Sequence, residues 1–204
     1  MPHPSFSELA ATSPVMAILR NFPPADAVVR AERAWDLGID LVEVPIHRPE
    51  FVPALEAVAA AGRERGKVVG AGTIVEPAQL DVISGIGVDF AVAPGLDLRL
   101  AASSAERGIP FLPGAATPSE VQRALAAGLT WIKGFPATSL GTAWFTAVRG
   151  PFPDARLVAT GGLDAGNAAA YLDAGARIVA VGSALEDPGQ LDLLSEIIRE
   201  RRAD

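Results

Sequence analysis

Hydrophobic and polar positions along the chain repeat one phrase with variation: an amphipathic helical stretch, a glycine, and a short apolar run about three residues later. The phrase occurs as Trp35-Asp-Leu-Gly38 before Leu41–Ile46 and as Glu106-Arg-Gly108 before Ile109–Leu112. It returns as Ala126-Ala-Gly128 before Trp131–Phe135 and as Asp173-Ala-Gly175 before Ile178–Val181. Glycine suits these places because the residue that ends a helix often adopts the left-handed conformation. Further apolar runs at Val15–Leu19, Val68–Gly70, Asp89–Ala93 and Arg156–Ala159 are each followed by Gly, Pro, Thr or Asn and then by helical periodicity. Near-continuous apolar strands alternating with helices predict a parallel sheet covered by helices. The strand starts lie about 20 to 27 residues apart, which fits an α/β fold of the compact (β/α)8 TIM-barrel kind. Residues 5–13 add an N-terminal helix before the first strand, with Ser5 or Ser7 as its cap. An open doubly wound sheet shares the alternation, but it usually carries a G-x-G-x-x-G turn after its first strand, and here that strand ends in Arg20-Asn-Phe-Pro-Pro.

Composition narrows the field. The 204 residues suit one domain, taken as 1–204, and with 50% hydrophobic and 20% charged residues the chain folds around a sizeable core. A net charge of −7, without any longer basic cluster than Arg201-Arg202, argues against nucleic acid as a partner. The absence of cysteine removes disulfides, thiolate nucleophiles and cysteine-held metals, and His3 and His47 alone cannot build a histidine metal cluster or a triad. No apolar run reaches the roughly 18 residues of a membrane helix, and the N-terminus does not read as a signal peptide. The expectation is a cytoplasmic protein without membrane contact.

In a barrel the chemistry gathers where the strands end. Polar residues expected there are Arg20, Glu43 with His47 and Arg48, Thr73, Thr160 with Gly161-Gly162, Gly182-Ser183 and, above all, Lys133. Lysine is scarce in this chain, which otherwise has only Lys67, yet Lys133 stands in the apolar stretch Thr130–Pro136. Burial favours the neutral amine, and a neutral lysine amine attacks carbonyl carbon to give a Schiff base. The bland alternative is an exposed strand-end lysine or half of an ion pair. Glu43, between apolar neighbours in Leu41–Ile46, suits a general base near neutrality, or else an ion-pair partner of Lys133 or of an arginine. The two glycine turns after the last two strands offer backbone N–H groups to an anion such as phosphate. Gly70-Ala-Gly-Thr73 is a close-approach turn whose hydroxyl either holds a carboxylate or caps a helix.

Taken in order, Val15–Arg20, Val42–Ile46, Gly70–Ile74, Ala93-Pro-Gly95, Phe111–Gly114, Ile132–Pro136, Ala159–Gly162 and Val181-Gly-Ser183 resemble the class I aldolases for 2-keto-3-deoxy-6-phosphogluconate (KDPG) and its galactonate epimer, a family that includes the 4-hydroxy-2-oxoglutarate (KHG) aldolases. The resemblance spans nearly the whole chain. It implies a homotrimer of (β/α)8 barrels with Lys133 as the Schiff-base lysine, Glu43 as proton carrier, Thr73 and an arginine as carboxylate ligands and the glycine turns as the phosphate site. Pro94 and Phe135, within two of the matching motifs, join the substrate-binding positions. It implies neither metal nor cofactor, only a phosphorylated 2-keto-3-deoxy sugar acid and pyruvate as partners. Two departures stand out. His47 occupies the place of an arginine, with Arg48 next to it, so Arg20 becomes the stronger carboxylate candidate over Arg48. Gly134 follows the lysine where relatives carry a larger side chain. The epimer signal is mixed, since Ile-Leu-Arg20 and Pro45 look galactonate-like whereas Ala93–Leu96 and Thr160 look gluconate-like. Other readings are a phosphate-binding barrel isomerase or synthase, and a catalytically silent binding barrel.

Overall fold

A single nine-stranded parallel sheet organises the chain in the computed structural model, which describes residues 5–10 and 13–203. Its strands are β1 (Val15–Ile18), β2 (Leu41–Pro45), β3 (Val68–Gly72), β4 (Phe90–Val92), β5 (Phe111–Leu112), β6 (Gly114–Ala115), β7 (Trp131–Gly134), β8 (Arg156–Thr160) and β9 (Ala176–Val181). The lateral order is β5-β4-β3-β2-β1-β9-β8-β7-β6. The two end segments are therefore chain neighbours with only Pro113 between them. Lacking an N–H, Pro113 breaks the ladder, but its carbonyl accepts a hydrogen bond from Lys133 N at 2.8 Å. The sheet thus curls until its edges meet at Pro113, giving a nearly closed parallel barrel. The eight expected strands become nine segments because one proline splits the fifth.

Helices α1 (Phe6–Ala10), α2 (Pro24–Asp36), α3 (Val52–Arg65), α4 (Pro77–Ile86), α5 (Leu98–Glu106), α6 (Pro118–Ala126), α7 (Ala137–Arg149), α8 (Ala165–Asp173) and α9 (Pro188–Ala203) connect and cover the strands. No helix among the described residues is long and apolar enough to cross a membrane. The glycines of the repeated phrase, Gly38, Gly108, Gly128 and Gly175, all have positive φ, as expected where a helix must turn into a strand. Several helices open on Pro in the first turn, where no N–H is needed, and α4, α6 and α8 carry reciprocal capping boxes at Glu76/Gln79, Thr117/Glu120 and Asp164/Asn167.

Side chains alternate between two apolar clusters. Met16, Ile18, Leu41, Phe90, Val92, Leu112, Val158, Ile178 and Ala180 pack inside the barrel, whereas Val15, Ala17, Val42, Val44, Ala91, Leu157, Val179 and Val181 meet the helices. Helix α1 closes the N-terminal end of the barrel. Its Phe6 ring lies 5.3 Å from both Phe90 and Trp131 in edge-on contacts. Ser5 caps α1, its amide donating to Glu8 Oε2 at 2.6 Å. The Ser7 hydroxyl accepts instead from Trp131 Nε1 at 2.9 Å and from Arg156 at 2.6 Å, tying the plug to the barrel rim. Of the expected helix 5–13, residues 11 and 12 lie outside the described residues, as does His3.

The Phe90 ring fits because Gly70 on the adjacent strand has no side chain; a Cβ there would overlap the ring. Phe90 is fully buried and wedged against Phe6, so it has no free direction to yield. We expect Gly70→Ala to destabilise the fold by about 1–3 kcal/mol of overpacking, with Phe90→Leu in the same chain recovering part of the loss. Urea denaturation of both variants checks this, and an unshifted midpoint for Gly70→Ala refutes the close fit.

Candidate active site

The strand alternation that fills the barrel with Leu41, Trp131 and Val158 carries Glu43, Lys133 and Thr160, two residues further along, to the same inner face. All three are buried, at 2%, 5% and 1% exposure. Beta2 and β7 stand on opposite walls in the strand order, so Glu43 and Lys133 point into the barrel from facing sides. Neither forms a salt bridge among the described residues. The exposed-lysine and ion-pair alternatives are thus both set aside. Lys133 Nζ lies 5.2 Å from the centroid of the Phe135 ring, an attraction between an amine and an aromatic face that does not remove the amine's capacity to react. Glu43 Oε2 and Thr160 Oγ1 are buried with no hydrogen-bond partner. Burying a polar atom unpaired costs about 1–3 kcal/mol, and of the four such side-chain atoms among the described residues these two share the inner face, while Trp35 Nε1 and Trp144 Nε1 lie on α2 and α7. Glu43 lies across β3 because Gly72 leaves the space; a Cβ there would stand 2.7 Å from Glu43 Cδ.

Above these residues a cavity of about 310 Å³ opens at the C-terminal ends of β1, β9, β8 and β7. It gathers Arg20, Phe135, Thr160, Gly161, Gly162, Gly182 and Ser183 from the sequence-predicted positions. Phe135 and Thr160 both touch the cavity and connect it to the Lys133 side of the barrel interior. Asn21, Phe22, Leu163 and Glu186 also line it and escaped the sequence reading. Asn21, Phe22 and Leu163 immediately follow predicted residues and were within reach of it. Glu186 was not, since it ends the short 3-10 turn Ser183–Glu186 and only the folding of that turn aims it at the cavity.

The glycine turn after β8 is tightly made. Gly161 and Gly162 have φ of 105° and 74°, and their carbonyls accept from Thr138 N and Asn167 Nδ2, each at 3.2 Å. Two amides in the first turn of α8 already have side-chain partners. Ala165 N donates to Gln190 Oε1 and Asn167 N donates to the Asp164 carboxylate, both at 3.1 Å. Gly161, Gly162, Gly182 and Ser183 themselves line the cavity.

Other predicted residues lie away from this cavity. Arg48 is exposed and 3.9 Å from Glu50, and the neighbouring His47 ring stacks on Phe51 at 4.7 Å. Thr73 has a positive φ of 62° and its carbonyl accepts from Gln79 Nε2 at 3.0 Å; it does not cap α4, a role taken by Glu76. Pro94 lines a separate groove of about 240 Å³ with Ile74, Val75 and Leu96. These three belong to the β2–β4 side of the mouth, across from the cavity. Carboxylates elsewhere at the mouth are spent on structure. Backbone amides at the helix starts hold Asp97 and Glu120 below the ordinary carboxylate range, chiefly Arg99 N for the first and Ala116 N for the second. Among the described residues no cluster of three or more His, Asp or Glu side chains is disposed to hold a metal ion.

A family model described as KDPG and KHG aldolase matches residues 7–197. The 2-dehydro-3-deoxy-phosphogluconate aldolase of Treponema pallidum is 36% identical over 167 residues, covering 81% of this chain and 78% of that protein. The 2-dehydro-3-deoxy-6-phosphogalactonate aldolase of Escherichia coli is 32% identical over 178 residues, covering 87% and 86%. Among solved structures, the KDPG aldolase of Legionella pneumophila with pyruvate captured as a covalent carbinolamine superposes with a TM-score of 0.79 at 29% identity, covering 93% of this chain and 94% of that one. With the match extending over almost its full length, the chain belongs to the KDPG and KHG aldolase family and is an aldolase, a carbon–carbon lyase.

Proposed function

We propose that the chain cleaves KDPG to pyruvate and glyceraldehyde 3-phosphate through a Schiff base on Lys133, with KHG as a further substrate. The observation that carries this is Lys133 itself: one of two lysines in the chain, buried inside the barrel, without an acidic partner, facing Glu43. The relative holding pyruvate as a carbinolamine supports the same chemistry, since that adduct precedes an imine.

In the proposed sequence the neutral Lys133 amine adds to the C2 ketone, and loss of water gives a protonated imine. Glu43 takes the C4 hydroxyl proton through a water as the C3–C4 bond breaks. The bonding pair passes into the imine, forming an enamine while the aldehyde leaves. Protonation at C3 and hydrolysis then release pyruvate and restore the amine. Arg20 serves the substrate carboxylate, and the phosphate occupies the end of the cavity between Gly161-Gly162 and Gly182-Ser183. No step in this sequence calls on a metal or cofactor. A homotrimer of single barrels, as the family resemblance implies, working in the cytoplasm, as the composition suggests, completes the reading.

Between epimers, the gluconate form is the better substrate. The unpartnered Thr160 hydroxyl supports this choice, because it lines the cavity next to the glycine turn and is free to bond the C4 oxygen in one configuration only.

Borohydride with pyruvate is expected to add one reduced pyruvyl group, located on Lys133 by peptide mass mapping; an adduct on Lys67, or none, refutes the reading. Glu43→Gln should still trap pyruvate yet lose about 10² to 10⁴ in turnover, since imine formation and proton transfer are separate steps. Unchanged turnover removes Glu43 from the mechanism. For Thr160→Val we expect the gluconate-over-galactonate ratio of kcat/KM to fall roughly five- to a hundredfold, the worth of one buried hydrogen bond. A wild-type preference for the galactonate epimer overturns the assignment.

A further inference from the structure

Of the charged side chains lining the cavity there are two, Arg20 and Glu186, of opposite sign. Glu186 is unlike the other carboxylates at the mouth of the barrel. Asp97, Glu120, Asp164 and Asp187 each accept a hydrogen bond from a backbone amide at a helix start. Glu186 enters no hydrogen bond or salt bridge among the described residues, and it hangs from the same short turn as Ser183. Arg30, which reaches the cavity-lining Phe22, stacks 4.0 Å over that ring and bonds Asp26 O at 3.3 Å. The end of the cavity assigned above to phosphate therefore has an unspent negative charge on its wall.

We infer that Glu186 sets substrate choice at the distal end of the cavity, holding down the preference for a dianionic terminus so that 2-keto-3-deoxy acids ending in an uncharged hydroxymethyl group are substrates alongside phosphorylated ones. The inference rests on the aldolase reading and on the distal group lying beside Ser183. A carboxylate repels both charges of a phosphate and neither end of a hydroxymethyl group, so its effect divides the two substrates rather than scaling both. In an open, hydrated cavity one such charge is worth roughly three- to tenfold in affinity for the dianion. Neutralising Glu186 leaves Arg20 as the sole charge on the wall.

The test measures kcat/KM for a phosphorylated 2-keto-3-deoxy acid and for its unphosphorylated counterpart in the wild type, Glu186→Gln and Glu186→Asp. The phosphorylated-to-unphosphorylated ratio should rise roughly three- to tenfold in Glu186→Gln, through KM, and the rise should shrink as salt is added. Glu186→Asp, which keeps the charge, should stay near the wild-type ratio. Borohydride trapping with pyruvate runs beside these assays in every protein. Trapping on Lys133 with an unmoved ratio overturns the role of Glu186 alone. A ratio that moves equally in Glu186→Gln and Glu186→Asp does the same, since shape rather than charge is then responsible. Failure of trapping in the wild type overturns the aldolase reading and this inference with it.

Discussion

A closed parallel sheet leaves room on its axis for a few layers of side chains, and every residue on its inner face competes for that room. The rest of the structure follows from how this chain divides it. Near the N-terminal end the axis is filled with bulk: Phe90 crosses the space vacated by Gly70, and Phe6 of α1 seals the opening against Phe90 and Trp131. Toward the C-terminal end the inner positions turn polar, with Glu43, Lys133 and Thr160 above Leu41, Trp131 and Val158. Gly72 repeats the device of Gly70 one step higher, this time admitting a carboxylate in place of a ring. The same alternation thus builds an apolar core at one end and a polar chamber at the other.

Much of this was legible because it depends on local patterns. Apolar runs marked the strands, and positive-φ glycines marked where helices give way to them. A lysine and a glutamate inside such runs stood out because burial of either is costly without a purpose. What was hidden depends on which strand ends become neighbours. The cavity joins residues after β1, β7, β8 and β9, which are far apart in the chain, and excludes Thr73 and Pro94, which follow β3 and β4. No periodicity separates those groups; only closure of the sheet does. Pro113 was visible as a proline, but its effect of splitting a strand whose two halves pair with opposite neighbours required the barrel to close.

Helix starts show a related effect. A glycine turn before a helix suggests amides waiting for an anion, yet in α8 Asn167 N is taken by Asp164 and Ala165 N by Gln190 from α9. Capping is favourable wherever a side chain can reach, so an open helix N-terminus is the exception that structure must demonstrate. The spent carboxylates at the mouth follow the same rule, and their low proton affinity is the electrostatic trace of it.

Buried polar atoms complete the argument. A native core satisfies nearly all of its polar groups, and leaving Glu43 Oε2 and Thr160 Oγ1 unpaired costs about 1–3 kcal/mol apiece. Packing elsewhere in the barrel is tight enough that a single added methyl at Gly70 or Gly72 meets another side chain. Two other unpartnered buried atoms, Trp35 Nε1 and Trp144 Nε1, are lone indole donors on α2 and α7, whereas Glu43 Oε2 and Thr160 Oγ1 share the inner face of the barrel. The deficit lies where β2 and β8 face the axis beneath the cavity, and a ligand that pairs with those atoms recovers the free energy they hold back. Binding and catalysis then draw on the same source, because a group that pairs them better at the bond-breaking stage than in the bound substrate lowers the barrier as well.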